Sequence, residues 1–283
     1  MLPPEDRLRT APNPPQNGNE QELRNRDIID GILITGSACS AYDKDVRPWI
    51  GQLEEFVRRV WAMFPLVKMF GSCFGHQIIA QALLSRIVSG SPRSILPSEV
   101  PLPSFELEDN DKRVRVERCP SGYEVGIVPI TLDQTFNRLF PYIARALRGR
   151  RQFRLQLVHG DRVVPISSVN KDMANSTLNP DEIKLPQPWV NLGHTPRCPI
   201  QGLLYPGRVL TFQGHFEFDA FVNCESIREF GRRFGWDPAV IEEYVKQIEI
   251  SAACAEGRED EDDSKLAAEA LVLFFAGREH VFY

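Results

Sequence analysis

The sequence predicts an α/β fold in which a doubly wound, mostly parallel sheet is covered by helices on both faces. Three observations predict it. The run "IIDGILITGS" from Ile28 is β-branched and ends in Gly36 and Ser37; helical apolar spacing follows from Pro48; and a second apolar run, "PLVKMF", leads straight into "GSCFGHQIIAQALL". Strand, helix, strand, helix in that order places strands side by side in parallel. Sheets built this way collect ligands at the carboxyl ends of their strands.

The elements follow in chain order. Residues 1–26 are rich in Pro, Asn and charge, carry too little apolar surface to order themselves, and are expected to form a disordered or surface tail, with residues 27–283 as the folded domain. "GILIT" is read as a buried strand, and Pro48 to Val60 as a helix with Trp49, Leu53, Phe56, Val57 and Val60 on its apolar face. "RVRVERC" and "YEVGIVPITL" have the look of antiparallel strands, "TFNRLFPYIARAL" of one or two helices, and "FRLQLVHGD" of a further strand. "QGLLYPGRVLTFQGHFEFD" predicts a hairpin turning at Pro206 and Gly207. Helices from about Cys224 to Arg233, near Pro238 to Ile250, and over "KLAAEALVLFFAG" complete the domain, and the acidic run "EGREDEDD" is expected to be a solvated loop.

Composition narrows the function. A formal charge of -5 gives no basic footprint for nucleic acid and no attraction to anionic lipid, which leaves small molecules or proteins as partners. No apolar stretch is long enough to span a bilayer and the amino terminus has no secretory core, so a cytoplasmic location is expected. The 6 cysteines are scattered without a C-x-x-C pair, which points to reduced thiols and no structural metal.

One pentapeptide carries chemistry. Gly71-Ser-Cys73-Phe-Gly75 sits where strand becomes helix, and a strained turn there needs small neighbours. The helix beginning near Phe74 would point its free N–H groups and positive dipole end at Cys73, which favours the thiolate, the attacking species. On the pentapeptide alone, a small buried Cys in a glycine-rich strand end is an equal reading. The second feature lies far downstream, where "LTFQGHFEFD" places His215 and Glu217 two residues apart after an apolar strand. In extended chain, i and i+2 share a side. A Cys nucleophile needs an imidazole to move protons, and the imidazole needs a third group to fix it.

"GSCFGHQ" followed by "QGHFEFD" resembles the class I glutamine amidotransferases, and "DGILITGSACSAYD" and "CPIQGLLYPGRVLTFQGHFEF" resemble other segments of that family. The resemblance runs from about Ile28 to Arg233 and is nearest to the stand-alone GMP-synthase-like branch, which includes the γ-glutamyl peptidases. It implies a flavodoxin-like fold with Cys73 as nucleophile, His215 as general base and then acid, and Glu217 orienting it. It also implies an oxyanion hole from the backbone of Phe74 and of the Gly36–Ser37 loop, with Gln77 helping to hold a γ-glutamyl substrate. A helix-capping role for Gln77 is an equal alternative. No cofactor is implied. Ammonia delivery would need a separate synthase, whereas peptidase action would not. His159 is read as a loop residue bonded to Asp161, His76 as pointing to the sheet edge away from Cys73, and His194 and Cys39 as outside the chemistry. Two features depart from the family: Phe216 stands where it has proline, and nothing in residues 1–26 matches its first strand and helix. Either that strand lies upstream of the present start, the sheet is rearranged, or the protein is degenerate. Two functions follow: cleavage of a γ-glutamyl amide through a thioester, or a catalytically weak binding or regulatory protein on the same fold.

Overall fold

A computed structural model describes residues 8, 29–85, 114–166, 183–255 and 262–278. Its centre is a 5-stranded sheet of strands β1 (Gly31–Ile34), β2 (Lys68–Ser72), β10 (Val209–Phe212), β9 (Gly202–Tyr205) and β7 (Val190–Asn191), in that spatial order. The first three run parallel, and β9 and β7 extend the sheet antiparallel. Helices α1 (Pro48–Met63) and α2 (Phe74–Leu84) connect and cover the parallel part. The hairpin turns at Pro206 and Gly207 as its sequence predicts, with Val209 opposite Tyr205. Gly207 has φ +73, the left-handed value a tight turn requires.

Alternation along the strands fills both faces. Met69, Leu203 and Val209 point to one side and join Phe56, Val57, Val60, Ile78 and Ile79 of α1 and α2. Their neighbours Phe70, Leu204, Leu210 and Phe212 point to the other. That second side is covered by α3 (Gln134–Leu139), α4 (Pro141–Ala146) and α7 (Ser264–Phe275), through Phe136, Ile143 and Phe274. Each such buried side chain contributes about 1.5–3 kcal/mol, so the two-sided core dominates the stability of the sheet. Both faces are therefore wound, as predicted.

Flanking the sheet, β4 (Glu124–Leu132) pairs antiparallel with β5 (Gln152–His159) and with β8 (Gly193–His194). Strand β3 (Val114–Arg118) pairs antiparallel with β6 (Asp161–Pro165), not with β4. The predicted Thr135 to Leu147 region forms two short helices that part at Pro141, whose ring cannot continue the first. Helices α5 (Ala220–Phe234) and α6 (Pro238–Ala255) pack a third cluster against β4 and β5, built on Val125, Val158, Ile227 and Ile248.

Several positions differ from expectation. The apolar face of α1 turns on Ile50, which is fully buried, while Trp49 is exposed at 42%, its ring tilted against Phe74 with 5.6 Å between centroids. Buried among the apolar residues of that face is Glu54, held by Lys44, Arg58 and Gln81, so charge on a helix did not mean solvent there. The acidic run is described only at Asp262 and Asp263, and Asp263 is buried rather than solvated: it takes two bonds from Arg150, at 2.8 and 3.2 Å, and one from the Arg154 N–H. Of the segment expected as a tail, Leu8 is described and the rest lies outside the described residues. Leu8 is 4% exposed and bridges Ile29 in parallel, so at that position the chain lies against the sheet beside β1. A lone leucine among prolines and charges carries no periodicity by which to foresee it. Leu33 of β1, read as buried, is 51% exposed.

Candidate active site

Three adjacent parallel strands deliver the site. β1 ends at Ile34 and runs into Gly36 and Ser37; β2 ends at Ser72 and runs into Cys73; β10 ends at Phe212 and runs into His215. Their carboxyl ends are neighbours, which is where a parallel sheet places its ligands.

Cys73 has φ +53 and ψ -108, a conformation that a side-chain-bearing residue adopts only when its surroundings force it. The surroundings are close indeed. A Cβ on Gly75 would stand 2.0 Å from the Ile34 carbonyl oxygen, and one on Gly71 would stand 2.4 Å from the Gly75 oxygen. Only glycine fits at either position, and the turn is sharp for that reason. The Cys73 N–H donates to the Phe212 carbonyl at 2.9 Å, and the Ser72 hydroxyl donates to the Gly214 carbonyl at 3.3 Å, so the turn is tied to the segment carrying His215. Helix α2 starts at Phe74, whose N–H and the next have no acceptor within the helix.

His215 is 3% exposed and held from three sides. Its N–H donates to the Gln156 carbonyl at 2.8 Å, its ring stacks on Phe218 with 4.1 Å between centroids, and its Nδ1–H donates to Glu217 Oε1 at 2.7 Å. Nε2 is buried and makes no hydrogen bond among the described residues. Cys73 Cβ and His215 Nε2 lie 3.6 and 3.9 Å from the point where a Gly36 Cβ would stand, so the loop after β1 touches both. Burial works against a charged ring, but the nearby Cys73 side chain and the Glu217 carboxylate outweigh it and push the imidazole up to about 9. For Glu217, burial works upward, and the His215 bond and charge bring its carboxyl below the usual range.

The other predicted residues fall as follows. Ser37 lines the cleft and its Oγ accepts from the Cys39 N–H at 3.2 Å, which folds the loop on itself. Gln77 lines the cleft as well, but its Nε2 already donates to the Asp161 carbonyl and to Gln213 Oε1, at 3.1 and 3.2 Å. Phe74 is buried. His76 points not to the sheet edge but under β10, where Nε2–H donates to the Ile200 carbonyl and Nδ1 accepts from the Thr211 hydroxyl. Burial holds it down at about 3, a neutral structural histidine. His159 ends β5 rather than lying in a loop; Nδ1–H donates to the Asp161 carbonyl at 2.9 Å, and Nε2 lies 3.2 Å from the buried Glu124 carboxylate. All 6 cysteines are free.

Cys73 opens onto a cleft of about 300 Å³ also lined by Asp161, which the sequence reading named only as a partner of His159, and by Tyr42, Arg118, Tyr123, Phe230 and Trp236, which it did not single out. Tyr42 donates to Asp161 Oδ1 at 3.0 Å across the mouth. Among the described residues no group of His, Cys, Asp or Glu is placed to hold a metal ion, and no helix is long and apolar enough to cross a membrane.

Comparison with known proteins fits this site. The chain is 29% identical over 194 residues to a protein of Schizosaccharomyces pombe described as glutamine amidotransferase-like, covering 69% of this chain and 55% of that protein. It is 29% identical over 200 residues to one of Saccharomyces cerevisiae described as a glutamine amidotransferase, covering 70% of this chain and 56% of that protein. Both descriptions are provisional, and the chain spans little more than half the length of these relatives. No family model matches. A glutamine amidotransferase structure from Methylobacillus flagellatus superposes with a TM-score of 0.50 at 16% identity, over 91% of this chain and 80% of that one, a likeness of fold. The chain is thus similar in sequence to glutamine amidotransferase-like proteins and shares the fold of a solved glutamine amidotransferase.

Proposed function

We propose that this protein cleaves a γ-glutamyl amide through a thioester on Cys73. The observation that carries the reading is the arrangement at three strand ends: a strained Cys73 at the start of α2, a His215 oriented by Glu217 at 2.7 Å, and the Gly36 loop against both. The Cys73 sulfur forms a bond to the γ-carbonyl carbon, and the oxygen's charge is taken by the N–H of Phe74 and of the Gly36–Ser37 loop. The C–N bond then breaks and the His215 proton passes from Nε2 to the leaving nitrogen. A water, its proton taken by His215, replaces sulfur and releases glutamate. Peptidase or amidase action needs nothing further, whereas ammonia transfer to an acceptor needs a separate synthase.

The test is intact-protein mass spectrometry after mixing with glutamine, glutathione and a glutathione S-conjugate. The expected result is a γ-glutamyl adduct that maps to Cys73 and is lost in Cys73→Ala. If no adduct forms and iodoacetamide labels Cys73 no faster than the other cysteines, the chain is a binding or regulatory protein on this fold.

A further inference from the structure

Part of the cleft lining is an aromatic cluster. Tyr123 and Trp236 meet edge to face at 4.7 Å between centroids, and Tyr244 backs both rings, at 5.8 and 6.0 Å. The Tyr244 hydroxyl accepts the Tyr123 N–H at 3.4 Å. Gly160 gives Tyr123 its room, since a Cβ there would stand 2.6 Å from the ring. Phe230 and Phe234 extend the wall from α5, the helix that begins directly after the His215–Glu217 segment. The wall is thus continuous in chain and space with the acid–base pair, through Phe218, which stacks on His215 and packs into the same apolar cluster as Tyr123, Phe230 and Trp236.

That continuity fixes which part of a substrate meets the wall. His215 gives its proton to the leaving nitrogen, so the leaving amine must lie on the His215 side, and whatever it carries extends over the aromatic rings. Ammonia would leave these rings facing water. Arg118 stands in the same cleft near Tyr123, exposed, with no ion-pair partner among the described residues. A guanidinium beside aromatic rings is suited to a carboxylate. The cleft volume of about 300 Å³ is at the lower end of the roughly 300–1,000 Å³ that bury drug-sized ligands, room for a dipeptide rather than a single amino acid.

Resting on the γ-glutamyl reading above, we propose that the preferred substrate is a γ-glutamyl dipeptide whose leaving amine is an aromatic amino acid, its ring on Tyr123 and Trp236 and its carboxylate on Arg118. The same bond changes as above then release the free aromatic amino acid and glutamate.

The full chain is assayed with γ-glutamyl-phenylalanine, γ-glutamyl-glycine, γ-glutamyl-2-phenylethylamine and glutamine. The expected order puts γ-glutamyl-phenylalanine first, with kcat/KM about tenfold or more above the glycine analogue. Trp236→Ala removes that advantage and leaves the glycine substrate within about threefold, while Trp236→Phe keeps most of it and guards against a folding defect. Arg118→Gln lowers the phenylalanine substrate about tenfold and spares the phenylethylamine one, which lacks the carboxylate. Equal rates on the phenylalanine and glycine substrates, or a loss in Arg118→Gln shared by both phenyl substrates, overturns the subsite while leaving γ-glutamyl cleavage intact. If no substrate is cleaved, the cleavage reading fails, and calorimetry with Cys73→Ala still decides the subsite: tighter binding of γ-glutamyl-phenylalanine than of γ-glutamyl-glycine supports it, and equal binding refutes it.

Discussion

Glu217 Oε1 accepts the Nδ1–H of His215 at 2.7 Å, leaving Nε2 buried and facing the sulfur side of the ring. The ring's orientation is thereby set without the proline that the family carries between these positions. Phe216 instead packs edge-on to Phe70 of β2, 6.0 Å between centroids, and so anchors the segment to the sheet from the opposite face. Both the Cys73 side chain near Nε2 and the Glu217 carboxylate at Nδ1 push the imidazole upward against its burial.

Replacing Glu217 with Gln keeps the shape of the side chain and removes the charge that selects the Nδ1–H tautomer. Turnover of a γ-glutamyl substrate is expected to fall about a hundredfold or more, with KM little changed, because the carboxylate acts on the ring and not on the substrate. Steady-state kinetics decide it. A loss confined to KM would mean that Glu217 binds substrate instead.

Two histidines give opposite pH signatures. His215 is raised to about 9, so its contribution to stability is complete below its unfolded value near 6.5 and is lost as pH rises through about 9. His76 is lowered to about 3, so its contribution is present above 6.5 and is lost as pH falls from there towards 3. Thermal melting from pH 4 to 10 (roughly the titration window) is expected to show a His215→Gln variant losing the alkaline decline and a His76→Gln variant losing part of the acid one. Parallel profiles for wild type and both variants would contradict the assignment.

The backbone at Cys73 stores strain that only its surroundings support, and glycine would relieve it. Cys73→Gly is expected to be more stable than Cys73→Ala by about 1–3 kcal/mol, since Ala keeps the unfavourable φ of +53 and Gly does not. Urea unfolding of the two variants measures the difference, and equal midpoints would show an unstrained turn.

Much of the site could be read from the chain because its parts are local. Gly71, Cys73 and Gly75 fall within one turn, and His215 and Glu217, two residues apart, do meet, although through a bend at Phe216 and Glu217 rather than the extended chain from which that contact was expected. What escaped reading came from distant segments. Arg118, Tyr123 and Trp236 meet only because β3, β4 and the α5–α6 turn converge, and nothing in their local sequence marks them. Glu54 was hidden for another reason: a carboxylate between apolar positions of a helix looks like surface until its partners, Lys44, Arg58 and Gln81, are known. Leu33 erred the other way, since a β-branched run implies burial on both faces whereas Leu33 is 51% exposed.

That buried carboxylate bears on catalysis through one side chain. Gln81, on α2, donates from Nε2 to the Ala41 carbonyl at 2.9 Å and to Glu54 Oε2 at 3.1 Å. Ala41 closes the loop that begins at Gly36, so the helix whose amino end carries Cys73 also fixes the far end of the loop proposed to supply the second oxyanion donor. Gln81→Leu preserves most of the packing and cuts this strap. The expected stability loss is about 1–2 kcal/mol, the cost of leaving a carbonyl and a carboxylate oxygen short of one bond each. Activity should fall further than that loss accounts for, about tenfold in kcat at a temperature where the variant is fully folded, because a misplaced donor no longer matches the developing oxyanion. Glu54→Ala is the control: it leaves Arg58 and Gln81 without their shared partner and should cost more stability, about 3 kcal/mol, in the lower range for a broken buried pair because Lys44 and Arg58 are partly solvated. Melting curves and γ-glutamyl hydrolysis on the same preparations separate the two effects. Wild-type kcat in folded Gln81→Leu would show that the loop holds its donors without help from α2.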